Sequence, residues 1–226
     1  MNRVALLGRP VAESLSPRMQ NAAFRATGLD WRYDAEDVAP GELEAAVARL
    51  LSEGYAGANV TIPYKLAVVA LCDEADGESV NTLVLREGRV LGFNTDKEIV
   101  AGISAERVCL IGAGGAALAL LPALSGEVRV FSRSGEWPPD SSGCDLIVNA
   151  TPVRDEVLVE PHAGQTVVDL AYRGDTGATA LVAAARAAGC EVVDGLEALV
   201  RQGAASFKLW TGIDAPVEAM RAALRI

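Results

Sequence analysis

The stretch RVCLIGAGGAALA, residues 107–119, joins a short apolar run to a glycine-rich turn and then to an alanine-rich helical pattern. Gly112, Gly114 and Ala117 have the spacing G-x-G-x-x-G/A. Glycines with this spacing also occur in ordinary tight turns before helices, so the pattern alone is weak. Between a strand and a helix, it is typical of loops that let the backbone approach the pyrophosphate of a dinucleotide. The stretch therefore predicts the strand–turn–helix unit of a nucleotide-binding domain.

Strand and helix patterns alternate on both sides of this stretch, which predicts an α/β protein with helices on both faces of its sheets. We expect an N-terminal open α/β substrate domain of residues 1–99, with 208–226 packing back on it. We expect a Rossmann-type NADP-binding domain of residues 100–207, with a cleft between the two. Ser16 is expected to be the N-cap of the first helix. The strand patterns fall at 3–8, 31–38, 57–62, 127–133, 144–151, 166–172 and 191–195, a hairpin at 80–94, and the helix patterns at 16–28, 41–54, 114–125, 178–189, 196–212 and 215–226.

The composition is that of a globular chain with an excess of acidic groups. Half of the residues are apolar, and 30 acidic against 20 basic groups give a formal net charge of −10. The acidic balance argues against non-specific nucleic-acid binding, which needs a basic surface. No apolar run approaches the roughly 20 residues of a membrane span, and the N-terminus lacks a signal-peptide pattern. We therefore expect a small-molecule partner, with no nucleic acid and no membrane.

The cysteines and the single histidine argue against a metal site. Cys72, Cys109, Cys144 and Cys190 are widely spaced and form no C-x-x-C pair, and His162 is the only histidine. Buried free thiols in a reducing cytosol are the simplest interpretation, which predicts a cytoplasmic protein without a metal. The sequence leaves the oligomeric state open between a monomer and a homodimer.

The residues after the strand that follows the glycines bear on which nucleotide binds. A carboxylate about 20 residues beyond the glycines would bind the ribose hydroxyls of NAD. This chain has Ser132, Arg133 and Ser134 there. An arginine between two hydroxyls favours the 2′-phosphate of NADP through charge-assisted hydrogen bonds, with a surface arginine in a turn as the alternative. We therefore predict NADP over NAD.

Four polar clusters lie in the predicted N-terminal domain, and they are SLSP (14–17), NVT (59–61), VNT (80–82) and NTD (94–96). Each lies at the C-terminal end of a predicted strand or in the loop after it, and in an open α/β sheet these ends converge on one crevice. Together the clusters suggest a site for a polyhydroxylated, anionic small molecule. Lys65 and Asp96 are the only cation–carboxylate pair within this set. A positioned ammonium can stabilise and protonate the alkoxide that forms when a ketone accepts a hydride.

The motifs of the chain resemble, in order and over nearly its whole length, those of the shikimate dehydrogenase family. They are ESLSPRMQNAAF, GANVTIPYK, VNT, GFNTD, GAGGAA, NATP and GLEALVRQGAASFKLWTG. The resemblance implies an oxidoreductase that acts on a CH–OH group and uses NADP to interconvert 3-dehydroshikimate and shikimate. That reaction is a step toward chorismate and the aromatic amino acids.

The resemblance also implies roles for individual residues. Lys65 and Asp96 are the expected catalytic pair, flanking the hydroxyl that becomes the ketone. The expected substrate contacts are Ser14 and Ser16 to the carboxylate, Thr61, Asn81 and Gln202 to ring hydroxyls, and Asn59 and Tyr172 lining the site. The expected cofactor contacts are Gly112, Ala113, Gly114, Gly115 and Ala116 to the pyrophosphate, Ser132, Arg133 and Ser134 to the adenosine phosphate, and Leu170 and Gly195 near the nicotinamide.

The chain departs from the family pattern on the cofactor side. It is shortened after FSRSGEW (131–137), where the family has a longer helix and strand, and Leu118 stands where many relatives have arginine. Lys97, beside Asp96 in the sequence, is a potential competitor of Lys65 for the carboxylate. Two alternatives stay open: a related dehydrogenase for quinate or an amino-shikimate, and a nucleotide-binding homologue without catalysis. Retention of both Lys65 and Asp96 argues against the second.

Overall fold

The computed structural model describes residues 1–226 and divides the chain into two compact units. The first unit consists of Met1–Asp96 and Val200–Ile226, and the second of Lys97–Leu199. Each unit is a sheet covered by helices, as the alternating patterns in the sequence predicted.

The first unit contains a six-stranded sheet in the order β2-β1-β3-β5-β6-β4. Strands β2, β1 and β3 are parallel, whereas β5 and β6 form the antiparallel hairpin expected from the sequence. Strand β4 was not predicted, because its two residues are exposed and carry no apolar alternation. The elements are β1 (Asn2–Gly8), α1 (Ser16–Ala26), β2 (Trp31–Asp37), α2 (Leu43–Ser52), β3 (Gly57–Val60), a 3-10 helix (Ala67–Leu71), β4 (Glu74–Ala75), β5 (Thr82–Arg86) and β6 (Arg89–Phe93).

The start of α1 differs from the sequence-based expectation. Leu15 occupies the N-cap position, and Ser16 is already the first helical residue. The hydroxyl that serves this end belongs to Ser14, because the Ser16 N–H donates to Ser14 Oγ at 3.3 Å. Pro17 lies in the first turn, where its missing N–H costs nothing. The helix start therefore ties the two serines of the SLSP cluster together.

The second unit contains a five-stranded parallel sheet in the order β11-β10-β9-β7-β8. Leu110 packs on the face covered by α3, and Cys109 and Ile111 pack on the face covered by α4. Burial on both faces explains why these strands read as continuous apolar runs, and the Rossmann-type α/β class is confirmed. The elements are β7 (Arg107–Ile111), α3 (Gly115–Leu120), a 3-10 helix (Leu121–Ala123), β8 (Glu127–Phe131), β9 (Leu146–Asn149), β10 (Thr166–Asp169), α4 (Ala180–Ala187), β11 (Glu191–Val193) and the start of α5 (Gly195–Thr211).

Two connections in the second sheet lack the helix that usually joins parallel strands. No α-helix lies between β8 and β9 or between β9 and β10. Strand β8 is at the edge of the sheet, and its Val130 side chain is exposed. The first of these connections contains the segment after FSRSGEW, where the family resemblance predicts a shortened chain.

The second half of α5 belongs to the first unit, together with α6 (Val217–Leu224). Gln20 Nε2 donates to Gly203 O at 2.9 Å, and Trp210 Nε1 donates to Leu83 O at 2.9 Å. Because of such contacts the return to the first unit begins at Val200, within the helix, and not at residue 208 as expected.

Helices cover both faces of the first sheet. Ala5 and Leu7 of β1 pack in a core with Leu50 of α2. Phe24 of α1 stacks on Phe207 of α5 with ring centroids 5.3 Å apart. The packing of α5 on α1 fixes where the side chains of its second half lie. None of the helices in the protein combines the length and hydropathy needed to cross a membrane.

Candidate active site

The two residues expected to carry the chemistry, Lys65 and Asp96, meet in the first unit. Lys65 Nζ lies 2.5 Å from Asp96 Oδ2, and the two side chains are 13% and 8% exposed. The pair is therefore shielded from bulk water without being sealed off. The cation that pairs with Asp96 is Lys65 and not its sequence neighbour Lys97, which is exposed.

Hydrogen bonds on both sides of Lys65 hold its main chain in place. The Tyr64 N–H donates to Thr61 O at 2.9 Å, which closes a turn directly after β3. Tyr64 Oη donates to Val38 O at 2.7 Å, and the Val80 N–H donates to Lys65 O at 2.9 Å. Because the main chain on either side of the lysine side chain is anchored, only that flexible side chain has to be ordered to reach the carboxylate.

Asp96 is held at both carboxylate oxygens. Lys65 binds Oδ2, and Asn81 Nδ2 donates to Oδ1 at 2.7 Å. The orientation of the Asn81 amide follows from the Thr95 N–H, which can only donate and lies 2.8 Å from Asn81 Oδ1. Nδ2 must then face Asp96. Asp96 takes one of the two Nδ2 hydrogens of Asn81.

The register of the first sheet brings the polar clusters to one edge. Leu7 of β1 pairs with Val60 of β3, so both strands end side by side. Asn59 pairs with Thr82, and Thr82 pairs with Phe93. The VNT cluster therefore precedes a strand instead of following one as expected. It still reaches the same edge because β5 runs antiparallel to β3.

Asn59 is buried, and its amide is bonded on every side within the protein. Its Nδ2 lies 3.0 Å from each of three acceptors, which are Asn81 O, Thr82 Oγ1 and Ser206 Oγ. Its Oδ1 accepts from Tyr33 Oη at 2.8 Å. The geometry gives Asn59 a clear part in holding its neighbours, while its expected contact with a ligand stays a prediction.

The other expected substrate residues are divided between the units. Ser14, Ser16, Thr61 and Gln202 all lie in the first unit, with Ser16 buried and the other three half-buried. Tyr172 is half-buried and belongs to the second unit. The first unit thus holds both members of the catalytic pair and all of the expected substrate residues except Tyr172.

The glycine loop of the second unit has a backbone that requires its first glycine. Gly112 has φ of 116°, and a Cβ added there would lie 3.2 Å from Ala150 C and O. The Gly112 N–H donates to Phe131 O at 2.8 Å, which holds the loop against the end of β8. Helix α3 starts at Gly115 with Gly114 as its cap. No side chain fills the loop from Gly112 to Gly115 except the methyl group of Ala113.

The turn after β8 presents an arginine without a carboxylate partner. Ser132 Oγ and Ser134 Oγ lie 3.3 Å apart, and the Gly135 N–H donates to Ser132 O at 3.0 Å. Arg133 is exposed, and its guanidinium lies 5.8 Å from the ring centroid of Trp137. The nearby Arg129, by contrast, forms ion pairs with two carboxylates, those of Glu136 and Asp140. Arg133 is the arginine of this turn that an anionic group can use.

Asp169, at the end of β10, organises the segment that carries Leu170 and Tyr172. It accepts hydrogen bonds from the Ala171 N–H at 3.0 Å, from Asn149 Nδ2 at 2.9 Å and from Thr179 Oγ1 at 2.5 Å. Burial raises the pKa of this carboxyl group, and the three hydrogen bonds oppose the rise. The segment is therefore tied down at its start and, through Thr179, at the beginning of α4.

Gly195 packs directly on this segment. A Cβ added to Gly195 would lie 2.2 Å from Ala171 O, so only glycine fits. Leu170 and Gly195, both expected near the nicotinamide, thus come to neighbouring places in the second unit. No group of three or more His, Cys, Asp or Glu side chains is arranged to hold a metal ion.

A glycine-loop unit and a second α/β unit with a shielded lysine–carboxylate pair define the class of two-unit, nucleotide-dependent oxidoreductases. Residues 6–83 match the model of the shikimate dehydrogenase substrate binding domain, and residues 195–225 match that of the shikimate 5'-dehydrogenase C-terminal domain. The chain is 37% identical to the shikimate dehydrogenase (NADP(+)) of Moorella thermoacetica, over 98% of this chain and 92% of the relative. The chain belongs to the shikimate dehydrogenase family, as its motifs predicted.

Solved structures agree with this assignment. A shikimate 5-dehydrogenase from Thermus thermophilus, in complex with NADP(H) and shikimate, has a TM-score of 0.87 and 32% identity, covering 100% of this chain and 99% of that one. The ligand-free 5-ketofructose reductase of a Gluconobacter species has a TM-score of 0.85 and 25% identity, covering 99% of this chain and 98% of that one. The fold therefore also occurs in a reductase named for a different carbonyl compound.

Sequence reasoning did not single out three buried hydroxyl residues, Thr82, Thr95 and Ser206, that contact Asn59 or Asn81. Thr82 and Thr95 lie within the VNT and NTD clusters, so the clusters contained the signal although only their other residues were given roles. Ser206 lies in an alanine-rich helical pattern and has no signal of its own.

Proposed function

We propose that this protein is an NADP-dependent shikimate dehydrogenase that reversibly reduces 3-dehydroshikimate to shikimate, on the way to chorismate and the aromatic amino acids. The observation that carries the proposal is the Lys65–Asp96 pair, 2.5 Å apart and held by Asn81 in a unit that matches the family's substrate-binding domain. Nucleotide binding alone does not need such a pair. The Moorella thermoacetica relative, which is 37% identical to this chain and is named a shikimate dehydrogenase (NADP(+)), supports the same substrate.

The chemistry of the pair suits the reduction of a ketone. When bound, NADPH supplies the hydride for the carbonyl carbon. Lys65 donates a hydrogen bond and then a proton to the carbonyl oxygen, on which negative charge develops. In the reverse direction, Lys65 as the neutral amine accepts the proton of the hydroxyl. Asp96 aims the lysine and compensates its charge, while the second Nδ2 hydrogen of Asn81 binds a ring hydroxyl.

The residues of the second unit fit a dinucleotide phosphate. A Cβ added to Gly114 would meet no atom within 4 Å, so the loop is open there for a pyrophosphate to approach the backbone of residues 112–116. Arg133, which has no carboxylate partner, with Ser132 and Ser134 beside it, offers donors to a 2′-phosphate. Leu170 and Gly195 are the residues proposed to lie near the nicotinamide.

The remaining substrate roles follow from the family. Ser14 and Ser16, linked through the Ser16 N–H, offer hydroxyl donors to the carboxylate of the substrate. Thr61 and Gln202 bind ring hydroxyls, and Asn59 and Tyr172 line the site. Binding a carboxylate through hydroxyls leaves Lys65, the one cation of this set, for the carbonyl.

A rate assay of the purified protein with shikimate and quinate, each with NADP and NAD, tests the proposal. We expect NADPH formation from shikimate, with the other three combinations slower. Preference for quinate would instead indicate the related dehydrogenase, and absence of turnover with tight nucleotide binding would indicate the non-catalytic homologue. Two further expectations stay predictions: a cytoplasmic location, and a monomeric or homodimeric state that sedimentation of the pure protein would decide.

A further inference from the structure

Three buried hydroxyl groups touch one another beside the catalytic pair. The Oγ atoms of Thr82, Thr95 and Ser206, called here the hydroxyl triad, lie 3.1 Å, 2.8 Å and 3.2 Å apart for the pairs 82–95, 82–206 and 95–206. Thr82 and Ser206 are 0% exposed and Thr95 is 3% exposed. We infer that the hydroxyl triad positions Asn81, and through it Asp96, so that Lys65 is aligned for proton transfer. The inference rests on the proposed function.

The hydrogen bonds of the triad have a direction that main-chain groups impose. Asn81 O can only accept, so the atom of Asn59 that faces it is Nδ2. One Nδ2 hydrogen goes to Asn81 O, and the other points into the triad, where Thr82 Oγ1 and Ser206 Oγ, each 3.0 Å from Nδ2, share it. At the other side, the triad donates to Asn81 Oδ1, from Thr95 Oγ1 at 3.0 Å and from Thr82 Oγ1 at 3.2 Å.

The hydrogen-bonded chain continues to the reacting group. Asn81 Oδ1 receives both the N–H and the hydroxyl of Thr95, and Asn81 Nδ2 then donates to Asp96 Oδ1 at 2.7 Å. Asp96 Oδ2 in turn binds Lys65 Nζ. From the Thr95 hydroxyl to the lysine there are three consecutive hydrogen bonds. Any displacement of the Asn81 amide is therefore passed directly to the carboxylate that aims the lysine.

The hydroxyl triad also connects this series of hydrogen bonds to the main chain of α5. Ser206 Oγ donates to Gln202 O at 3.1 Å, one helical turn earlier. This bond goes to the main chain of Gln202, the residue whose side chain is proposed to bind a hydroxyl of the substrate. A packed apolar cluster would fill this space with no polar groups to satisfy, whereas buried hydroxyls are costly unless every partner is in place. Retaining three of them here is consistent with a role in alignment.

Two substitutions of Thr95 distinguish the effect of its hydroxyl group from the effect of its side-chain volume. Thr95→Val keeps the volume and removes the hydroxyl, and Thr95→Ser keeps the hydroxyl. We expect Thr95→Val to lower kcat for shikimate about tenfold, the effect of about 1.4 kcal/mol in the barrier, with a smaller change in KM. Thr95→Ser should stay close to wild type. Thr211→Val is the matched control. The Thr211 hydroxyl bonds to Phe207 O within α5 and does not belong to the triad, so the kcat of this variant should not change.

A second measurement asks whether Thr95 acts through Asp96. In the Asp96→Asn background, adding Thr95→Val should lower kcat little further, because residues that act as a unit are not additive. Equal kcat for Thr95→Val and wild type, an equal loss in Thr95→Ser, or full additivity with Asp96→Asn would each overturn the inference.

A third measurement does not depend on turnover. Crystal structures of the wild type and Thr95→Val should show the Asn81 amide of the variant displaced from Asp96, and an unchanged Nδ2–Oδ1 distance would overturn the inference. The proposed function fails separately, if the wild type does not oxidise shikimate at all. The crystallographic comparison tests the triad even then.

Discussion

Replacing Lys65 by alanine tests the central chemical claim. The substitution removes the cation that binds Asp96 Oδ2 and is proposed to protonate the carbonyl oxygen. Loss of a general acid–base group lowers rates by about 10²–10⁴, which corresponds to about 2.7–5.4 kcal/mol in the barrier. We expect kcat for shikimate to fall within this range.

The same substitution should leave the fold and cofactor affinity largely intact. Removing one partner of a fully buried ion pair costs roughly 3–5 kcal/mol of stability. The cost here should be smaller, because Lys65 is 13% exposed and Asn81 still donates to Asp96. The predicted NADP contacts belong to the second unit, whereas Lys65 belongs to the first. The dissociation constant for NADPH should therefore stay near that of the wild type.

The assay is NADPH formation from shikimate, followed by absorbance, with NADPH affinity measured separately by fluorescence titration. Lys97→Ala is the matched control, because it removes the same type of residue next to Asp96 from an exposed position. Its rate should be close to that of the wild type. If Lys65→Ala keeps more than half of the wild-type rate, or if Lys97→Ala is the slower variant, the assignment of the proton donor is wrong.

Three further predictions concern the second unit. Arg133→Ala should weaken NADPH binding by about 10- to 150-fold, the loss of one charge-assisted hydrogen bond of about 1.5–3 kcal/mol, and NADH binding much less; equal losses in titrations with the two would remove Arg133 from the phosphate site. Gly195→Ala, which would bring a Cβ to 2.2 Å from Ala171 O, should destabilise the protein by about 1–3 kcal/mol in urea unfolding, whereas Gly174→Ala, with no atom within 4 Å of the new Cβ, should be neutral. Because the pKa of Asp169 is raised in the folded protein, the folded state binds more protons than the unfolded state above the ordinary value of 3.8. The free energy of unfolding, relative to that of Asp169→Asn, should therefore fall as the pH rises from 3.8 toward the folded pKa. If urea titrations show no change in this difference across that pH range, burial does not raise the pKa of Asp169.

The sequence was sufficient for the elements whose pattern is local. The apolar run before Gly112 and the helical pattern after it indicated the strand–turn–helix of the nucleotide unit. The pairing of Lys65 with Asp96 was also predictable, because both residues stand beside polar clusters at strand ends. Strand β4 and the N-cap of α1 were not predictable. The two residues of β4 show no apolar alternation, and the start of α1 depends on the backbone geometry around its two serines.

The hydroxyl triad lay beyond what one sequence reveals. Thr82 and Ser206 are far apart in the chain, and nothing in the helical pattern around Ser206 distinguishes a serine that bonds to Asn59 from one that faces water. Likewise, the return of the chain at Val200 depends on which half of α5 packs on which sheet. Such features arise from tertiary packing, and no local pattern encodes them.

The outer side of strand β8 has no neighbouring strand, so it forms the rim of the second sheet. Strand β7 leads into the glycine loop, β9 leads into the NATP motif, and β10 ends at Asp169. Each of these three strands pairs with another strand on both sides. A change confined to the rim beyond Trp137 would leave the ladders of these three strands untouched. It would also leave in place Ser132, Arg133 and Ser134, which come before it in the chain.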